Sequence, residues 1–187
     1  MRRRCVSSSE ELGSTHPVNR LIHELAESRR AATDEEIQSI RVHVAGMGFD
    51  PLGTMRVGSR MEGTRWDGRT IGGSDRFSTG IAHYLLHVIH DREWPNGTSY
   101  DRYVESLRDV VIDSAGGIVA SYEFDVLRLS FVSRARYQRG PGGNEWILVG
   151  YNVDYGWWTT GFQPDLNLDH FALAFTKGAQ WLQRPTY

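Results

Sequence analysis

From residue 118 the repeat of apolar residues drops from helical spacing to alternation, and this constrains the fold more than any other feature. Four runs, GIVASYEFD, VLRLSFVSRARY, NEWILVGYNV and WWTTGFQP, are separated by short connections: Asp125, RGPGGN and DYG. Connections this short join neighbouring antiparallel strands, whereas parallel strands need a crossover of a dozen residues or more. The upstream half reads differently. PVNRLIHELAESRRAA places Leu21, Ile22, Leu25 and Ala26 on one helical face, with Pro17 suited to the first turn. TDEEIQSIRVHVAGMGF is a second helix, opened by a Thr33/Glu36 capping box and striped by Ile37, Ile40 and Val44. Two further helices are predicted, one from about Ser78 to the WP at 94–95 and one after NGTS. The expected class is α+β: N-terminal helices followed by an antiparallel β-meander of about four strands.

The predicted organisation has three parts. Residues 1–15 are polar and expected to be disordered or extended. Residues 16–48 form a helical hairpin, and residues 49–187 form an α+β domain that carries the chemistry. Between 50 and 80 glycine is dense and periodicity poor, so a long loop or short hairpins are expected. The tail from DHFALAF onward is expected to add a short helix or strand.

Composition narrows the partners. The formal charge is −2, so no global basic signature marks a nucleic-acid binder, and a site for a polyanion would have to be locally basic. All but Lys177 of the 21 basic residues are Arg. The single cysteine, Cys5, excludes an internal disulfide framework. MRRRC is followed by no apolar stretch of the signal-peptide kind, and no run reaches the length of a membrane span.

Three of the seven histidines, His83, His87 and His90, lie within eight positions. On an ideal helical wheel they cluster opposite the arc of Ile81, Tyr84, Leu85, Val88 and Ile89. They are therefore expected to face away from the core, as a solvated stripe, a catalytic cleft or a metal site. The i, i+4 pair His83/His87 has zinc-ligand spacing, but Tyr84 stands where a metalloprotease needs Glu. No metal or other cofactor is expected. Arg128, Arg134, Arg136 and Arg139 follow in a stretch with no acid between 126 and 144, and Thr159 and Thr160 are expected on opposite faces of one strand. Histidine, arginine and a hydroxyl suit metal-free RNA cleavage, in which an imidazole moves a proton and fixed donors hold the phosphorane. Trp146, Tyr151, Trp157 and Trp158 are candidates to stack unpaired bases, with core packing as their ordinary role.

The set HYLLHV, EWPNGTSYDRYVESLRDVV, GNEWILVGYNV and WWTTGFQP resembles the barnase–EndoU–colicin–RelE-like (BECR) nuclease toxins found at the C-termini of bacterial polymorphic toxins. The resemblance spans residues 81–164. It implies an endoribonuclease acting on RNA, often tRNA, with His87 and then His83 as catalytic histidines. Thr160 is the implied strand hydroxyl, with Thr159 the alternative, and Arg128 or Arg134 the implied cation; beside the resemblance, Thr159, Arg136, Tyr151 and Trp158 are the candidate substrate contacts. It also implies a cognate immunity protein and action in the cytoplasm of a target bacterium, with a monomer and no membrane partner expected. The chain lacks the second Gly-rich His motif and strand Lys of the EndoU subgroup. Two rival readings stand beside this one: a non-enzymatic binding module of the immunity or adaptor type, and a zinc hydrolase using His83, His87 and His90.

Overall fold

A computed structural model of the chain describes residues 16–135, 138–165 and 178–187. Helix α1 (Pro17–Ser28) starts on His16, whose Nδ1 accepts from the Val18 N–H at 3.2 Å, with Pro17 in the first turn. Helix α2 (Asp34–Ala45) carries the expected reciprocal cap: the Glu36 N–H donates to Thr33 Oγ1 at 3.2 Å, and the Thr33 N–H donates to Glu36 Oε2 at 2.8 Å. That cap satisfies two of the donors a helix start leaves unpaired.

The chain then makes two small ribbons. Strand β1 (Thr54–Arg56) pairs with β4 (Arg76–Ser78), and β2 (Arg65–Trp66) pairs with β3 (Arg69–Thr70) between them. Strand β4 runs directly into helix α3 (Thr79–Tyr84), which continues as a π-helical stretch over Leu85–His90. Helix α4 (Tyr100–Ile112) begins on Ser99, whose side chain accepts from the Arg102 N–H at 3.2 Å.

The second half is the expected meander. Strands β5 (Gly117–Glu123), β6 (Val126–Arg134), β7 (Trp146–Asn152) and β8 (Trp157–Phe162) follow one another, all antiparallel. Strand β9 (Gln180–Gln183) adds to the far side of β5, giving the order β8-β7-β6-β5-β9. Residues 1–15, Arg136 and the DHFALAF segment lie outside the described residues.

One face of the sheet carries Leu127, Leu129, Phe131, Ile147, Val149 and Tyr151, packed with Ile22, Leu25, Ile40, Val44, Leu107 and Val111 of the helices in one buried cluster. The hairpin at 16–48 thus shares a core with the sheet. Arg41 reinforces the join from inside: its guanidinium donates to the carbonyls of Val111 at 2.7 Å and Gly116 at 2.8 Å and to the Gln183 side chain at 2.9 Å. These bonds offset much of the cost of burying the guanidinium, whose Nε alone has no partner among the described residues.

The opposite face of the sheet carries a smaller apolar group, Val132 and Leu148 with Phe162 and Trp181. Edge strand β8 does not stand open. The Trp158 N–H donates to the Gly48 carbonyl at 2.8 Å, Phe49 bridges Trp158 in parallel, and α3 packs alongside. Among the described residues no helix is long and apolar enough to cross a membrane.

Candidate functional site

The histidine helix meets β8 side-on, and there the ideal wheel fails. From Leu85 the helix is π-helical, with the Asp91 N–H reaching back to the Leu86 carbonyl at 2.9 Å. The wider turn rotates later side chains away from their α-helical directions, and such stretches recur at functional sites. His87 is consequently turned from solvent, and His83, in the α-helical turn before it, is covered by Phe49. They are half-buried within a stack of rings: Phe49 on His83 at 5.6 Å, His83 on His87 at 5.7 Å, and His87 on Phe162 of β8 at 5.5 Å. Only His90 is exposed, and its Nδ1 bonds the Asp91 carboxylate at 2.8 Å.

His87 is held from behind. Its Nδ1 donates to Glu93 Oε1 at 2.9 Å, and Glu93 Oε2 accepts the Gln163 N–H at 2.6 Å. Glu93 is buried, and a buried carboxylate persists only with such partners. With Nδ1 carrying the proton toward a carboxylate, Nε2 presents its lone pair. No hydrogen bond engages Nε2 among the described residues.

Gln163 is also buried, and it ties this dyad to the β6–β7 connection. Its side chain accepts from the Asn144 N–H at 2.9 Å and donates to the Gln138 carbonyl at 2.8 Å. Glu93 and Gln163 escaped the sequence reading because neither stands at a helical or strand spacing from His87. The only available signal was an acid directly before Trp94-Pro95, where the chain leaves its helix.

His83 has a different character. Burial, with the neighbouring His87 second, pushes its pKa down to about 4, although the Thr159 backbone carbonyl favours protonation. It is a neutral imidazole at neutral pH. His43, stacked on His16 at 3.9 Å and also desolvated, is likewise held at about 4. Both values lie below the 6.5 of a free histidine, so the unfolded chain binds more protons between pH 6.5 and 4. Stability is therefore full above pH 6.5 and is lost as pH falls toward 4. With allowance for solvent screening, unfolding in urea should show stability about 2 kcal/mol lower at pH 5 than at pH 7. The double variant His43→Gln/His83→Gln should flatten that slope, and an unchanged slope would reject this origin.

The threonines correct the sequence expectation. Gly150 pairs with Thr160 and Tyr151 with Trp158, so Thr159 is an extra residue, a β-bulge. A Cβ on Gly150 would meet Thr159 Oγ1 at 2.7 Å and Thr160 Cγ2 at 3.0 Å. Both side chains therefore lie on the sheet face away from the helices, not on opposite faces. They line a recess there with Glu123, Arg128, Ser130 and Phe162. Phe162, which stacks on His87, is two residues from Thr160 and on the same face, about 7 Å along the strand.

The arginines separate. Arg128 shares the recess but lies 2.9 Å from Glu123 Oε2, so its charge is already met. Arg134 stands six residues further along β6, about 20 Å away. It lies 3.6 Å from Glu145 and over the rings of Trp146 and Tyr187, 5.6 and 5.5 Å from their centres. The two do not form one cationic row at a single site. Two expected substrate contacts are also displaced. Tyr151 is fully buried and donates to Asn19 Oδ1 at 3.0 Å, and Trp158 is buried and donates to the Val44 carbonyl at 3.0 Å. Both rings belong to the core and present no face to a base.

No family model, curated protein sequence or solved structure matches this chain. The site is therefore read from its own chemistry.

The trio His83, His87 and His90 is not a ligand set. The first two rings are stacked 6° from parallel, so their in-plane lone pairs do not converge on one ion. The group that does converge is His87, Asp91 and Glu93, one donor atom from each lying within 4.8 Å of the others. Those atoms already have partners. His87 Nδ1 and Glu93 bond each other, and Asp91 accepts from Arg60 at 2.7 Å and from His90. The arrangement is a hydrogen-bond network centred on an oriented imidazole.

Proposed function

We propose that this chain is a metal-independent endoribonuclease of the toxin type, cleaving RNA, with tRNA the expected substrate. The observation that carries the reading is the His87–Glu93–Gln163 chain, set beside a strand whose bulge turns Thr159 and Thr160 to one face. A half-buried imidazole with one nitrogen anchored to a carboxylate and the other unengaged is suited to proton transfer. In the proposed reaction His87 Nε2 accepts the ribose 2′-hydroxyl proton. The 2′ oxygen bonds to phosphorus, the P–O5′ bond breaks, and the proton passes from Nε2 to the leaving O5′. The products are a 2′,3′-cyclic phosphate and a 5′-hydroxyl. Hydroxyl donors of Thr160 and Thr159 would meet charge on the non-bridging oxygens. His83, stacked on His87 at 5.7 Å, serves as its partner by position. Arg128, paired with Glu123, would reach phosphate only by exchanging that partner.

The same reading groups the chain with BECR nucleases and implies an immunity protein and delivery into a target bacterium. Total tRNA incubated with the protein in EDTA should be cut to fragments ending in cyclic phosphate. Intact tRNA would reject the proposal. Asp91→Asn, which weakens a ligand set but leaves the His87–Glu93 bond, should retain cleavage within a few-fold. A large loss there, restored by added divalent metal, would favour the metal reading instead.

A further inference from the structure

Two cations with no carboxylate partner among the described residues face each other on the β1–β4 ribbon, outside the proposed catalytic recess. Thr54 pairs with Ser78, Met55 with Phe77, and Arg56 with Arg76. Alternation turns Met55 and Phe77 toward the core, leaving Thr54, Arg56, Arg76 and Ser78 together on the outward face, all exposed. Two like charges directly opposite each other on an antiparallel pair oppose the pairing. Among the described residues no carboxylate lies within 4 Å of either guanidinium. Arg56 Nε donates to the Gly73 carbonyl at 3.1 Å, and Arg76 donates to the Thr54 carbonyl at 3.0 Å and to Thr54 Oγ1 at 3.3 Å. These acceptors are neutral, so both charges persist. Arg30, Arg60, Arg102, Arg128 and Arg134 each have a carboxylate within 4 Å, whereas Arg41, Arg108 and Arg139, like the ribbon pair, donate to carbonyls; what sets Arg56 and Arg76 apart is that they stand opposite each other, exposed, on one strand pair. Arg65 and Arg69, exposed on the adjoining β2–β3 ribbon, also lack a carboxylate partner among the described residues.

We propose that this outward face is a docking strip for the phosphates of a single-stranded RNA, with Arg56 and Arg76 as its principal contacts. The inference deepens the ribonuclease reading and rests on it for the choice of polyanion. Guanidinium forks and exposed hydroxyls are donors that phosphate oxygens take. The strip is also connected to the candidate site by a rigid path. Two residues of β4 and four of α3 separate Arg76 from His83, a path of about 14 Å at most. A strand held there by its phosphates would lie within a few nucleotides of the histidines.

The test is the salt dependence of binding to an uncleavable probe, a short fluorescein-labelled 2′-O-methyl oligouridine followed by anisotropy between about 50 and 200 mM NaCl. Each lost phosphate contact on a single strand lowers the slope of log K against log salt by about 0.7, so Arg56→Gln/Arg76→Gln should lower it by about 1.4. Arg56→Lys/Arg76→Lys, which keeps both charges, should retain the parent slope. Arg102→Gln, on the Glu105-paired residue of α4, should leave it unchanged. A Gln double variant with the parent's slope, or a parent that does not bind the probe, overturns the strip. The failures are separable. A parent that binds through the ribbon but never cuts unmodified RNA leaves the strip standing and removes the ribonuclease reading. Cleavage with an unchanged slope does the reverse.

Discussion

His87→Asn is expected to lower tRNA cleavage by roughly 10²–10⁴-fold, the range that loss of a positioned acid–base group produces. Asn is the informative replacement. Its amide N–H can stand near the place of Nδ1 and keep a donor on Glu93, whereas Ala would leave that buried carboxylate short of a partner at about 1–3 kcal/mol. A variant with parental thermal stability and lost cleavage assigns the loss to chemistry. Glu93→Gln should also reduce cleavage, by roughly 10²-fold, because the carboxylate that fixes the Nδ1–H form and steadies the imidazolium is gone. The two losses should not add. If Glu93 acts through His87, the double variant should be about as impaired as His87→Asn alone. Additive losses would mean that Glu93 works elsewhere. Parental activity in His87→Asn would end the assignment.

The elements of the fold were open to reading because each rests on local pattern. Alternation in VLRLSFVSR puts Leu127, Leu129 and Phe131 on one face whatever surrounds the strand, and the Thr33/Glu36 cap depends on residues three apart. The site was half readable for the same reason. His87 and the threonines could be nominated from the helix and strand that carry them. Their orientation could not, because two local irregularities intervene. A π turn changes which side of the helix His87 occupies, and a bulge brings Thr159 round to the face of Thr160. Neither irregularity leaves a mark in residue spacing. Glu93, Gln163 and the partners of Arg128 and Arg134 depend on contacts between distant segments, and a run of arginines without intervening acids says nothing of the acids across a turn. Glu123 is five residues before Arg128 and directly beside it in space. The facing pair of cations lies in the Gly-rich stretch, where pairing of two three-residue strands brings Arg56 opposite Arg76 from twenty positions away.

Gly143→Ala is expected to destabilise the protein by about 3 kcal/mol and to reduce cleavage without touching a catalytic atom. The glycines of GPGG let the β6–β7 connection lie backbone to backbone on the segment after the histidine helix. The Gly140 N–H donates to the Glu93 carbonyl at 2.6 Å and the Gly142 N–H to the Arg92 carbonyl at 2.9 Å. A Cβ at Gly143 would collide with the Glu93 carbonyl oxygen and with Gln163 Oε1. One of those groups is backbone and the other belongs to a buried, fully engaged amide, so neither can withdraw freely. Overpacking of this kind costs about 1–3 kcal/mol, and loss of a buried hydrogen bond about 1–3 more. For a chain of this size that corresponds to a fall in melting temperature of roughly 10 °C. The strain falls on the two residues that orient His87, since Gln163 holds Glu93 through its N–H. Activity measured well below the melting transition should therefore fall too, with substrate binding at the arginine ribbon unaffected. Gly48→Ala is the control: a Cβ there meets nothing within 4 Å, and its effect should stay within about 0.5 kcal/mol. Equal stability of the two variants would show that the GPGG connection does not brace the site.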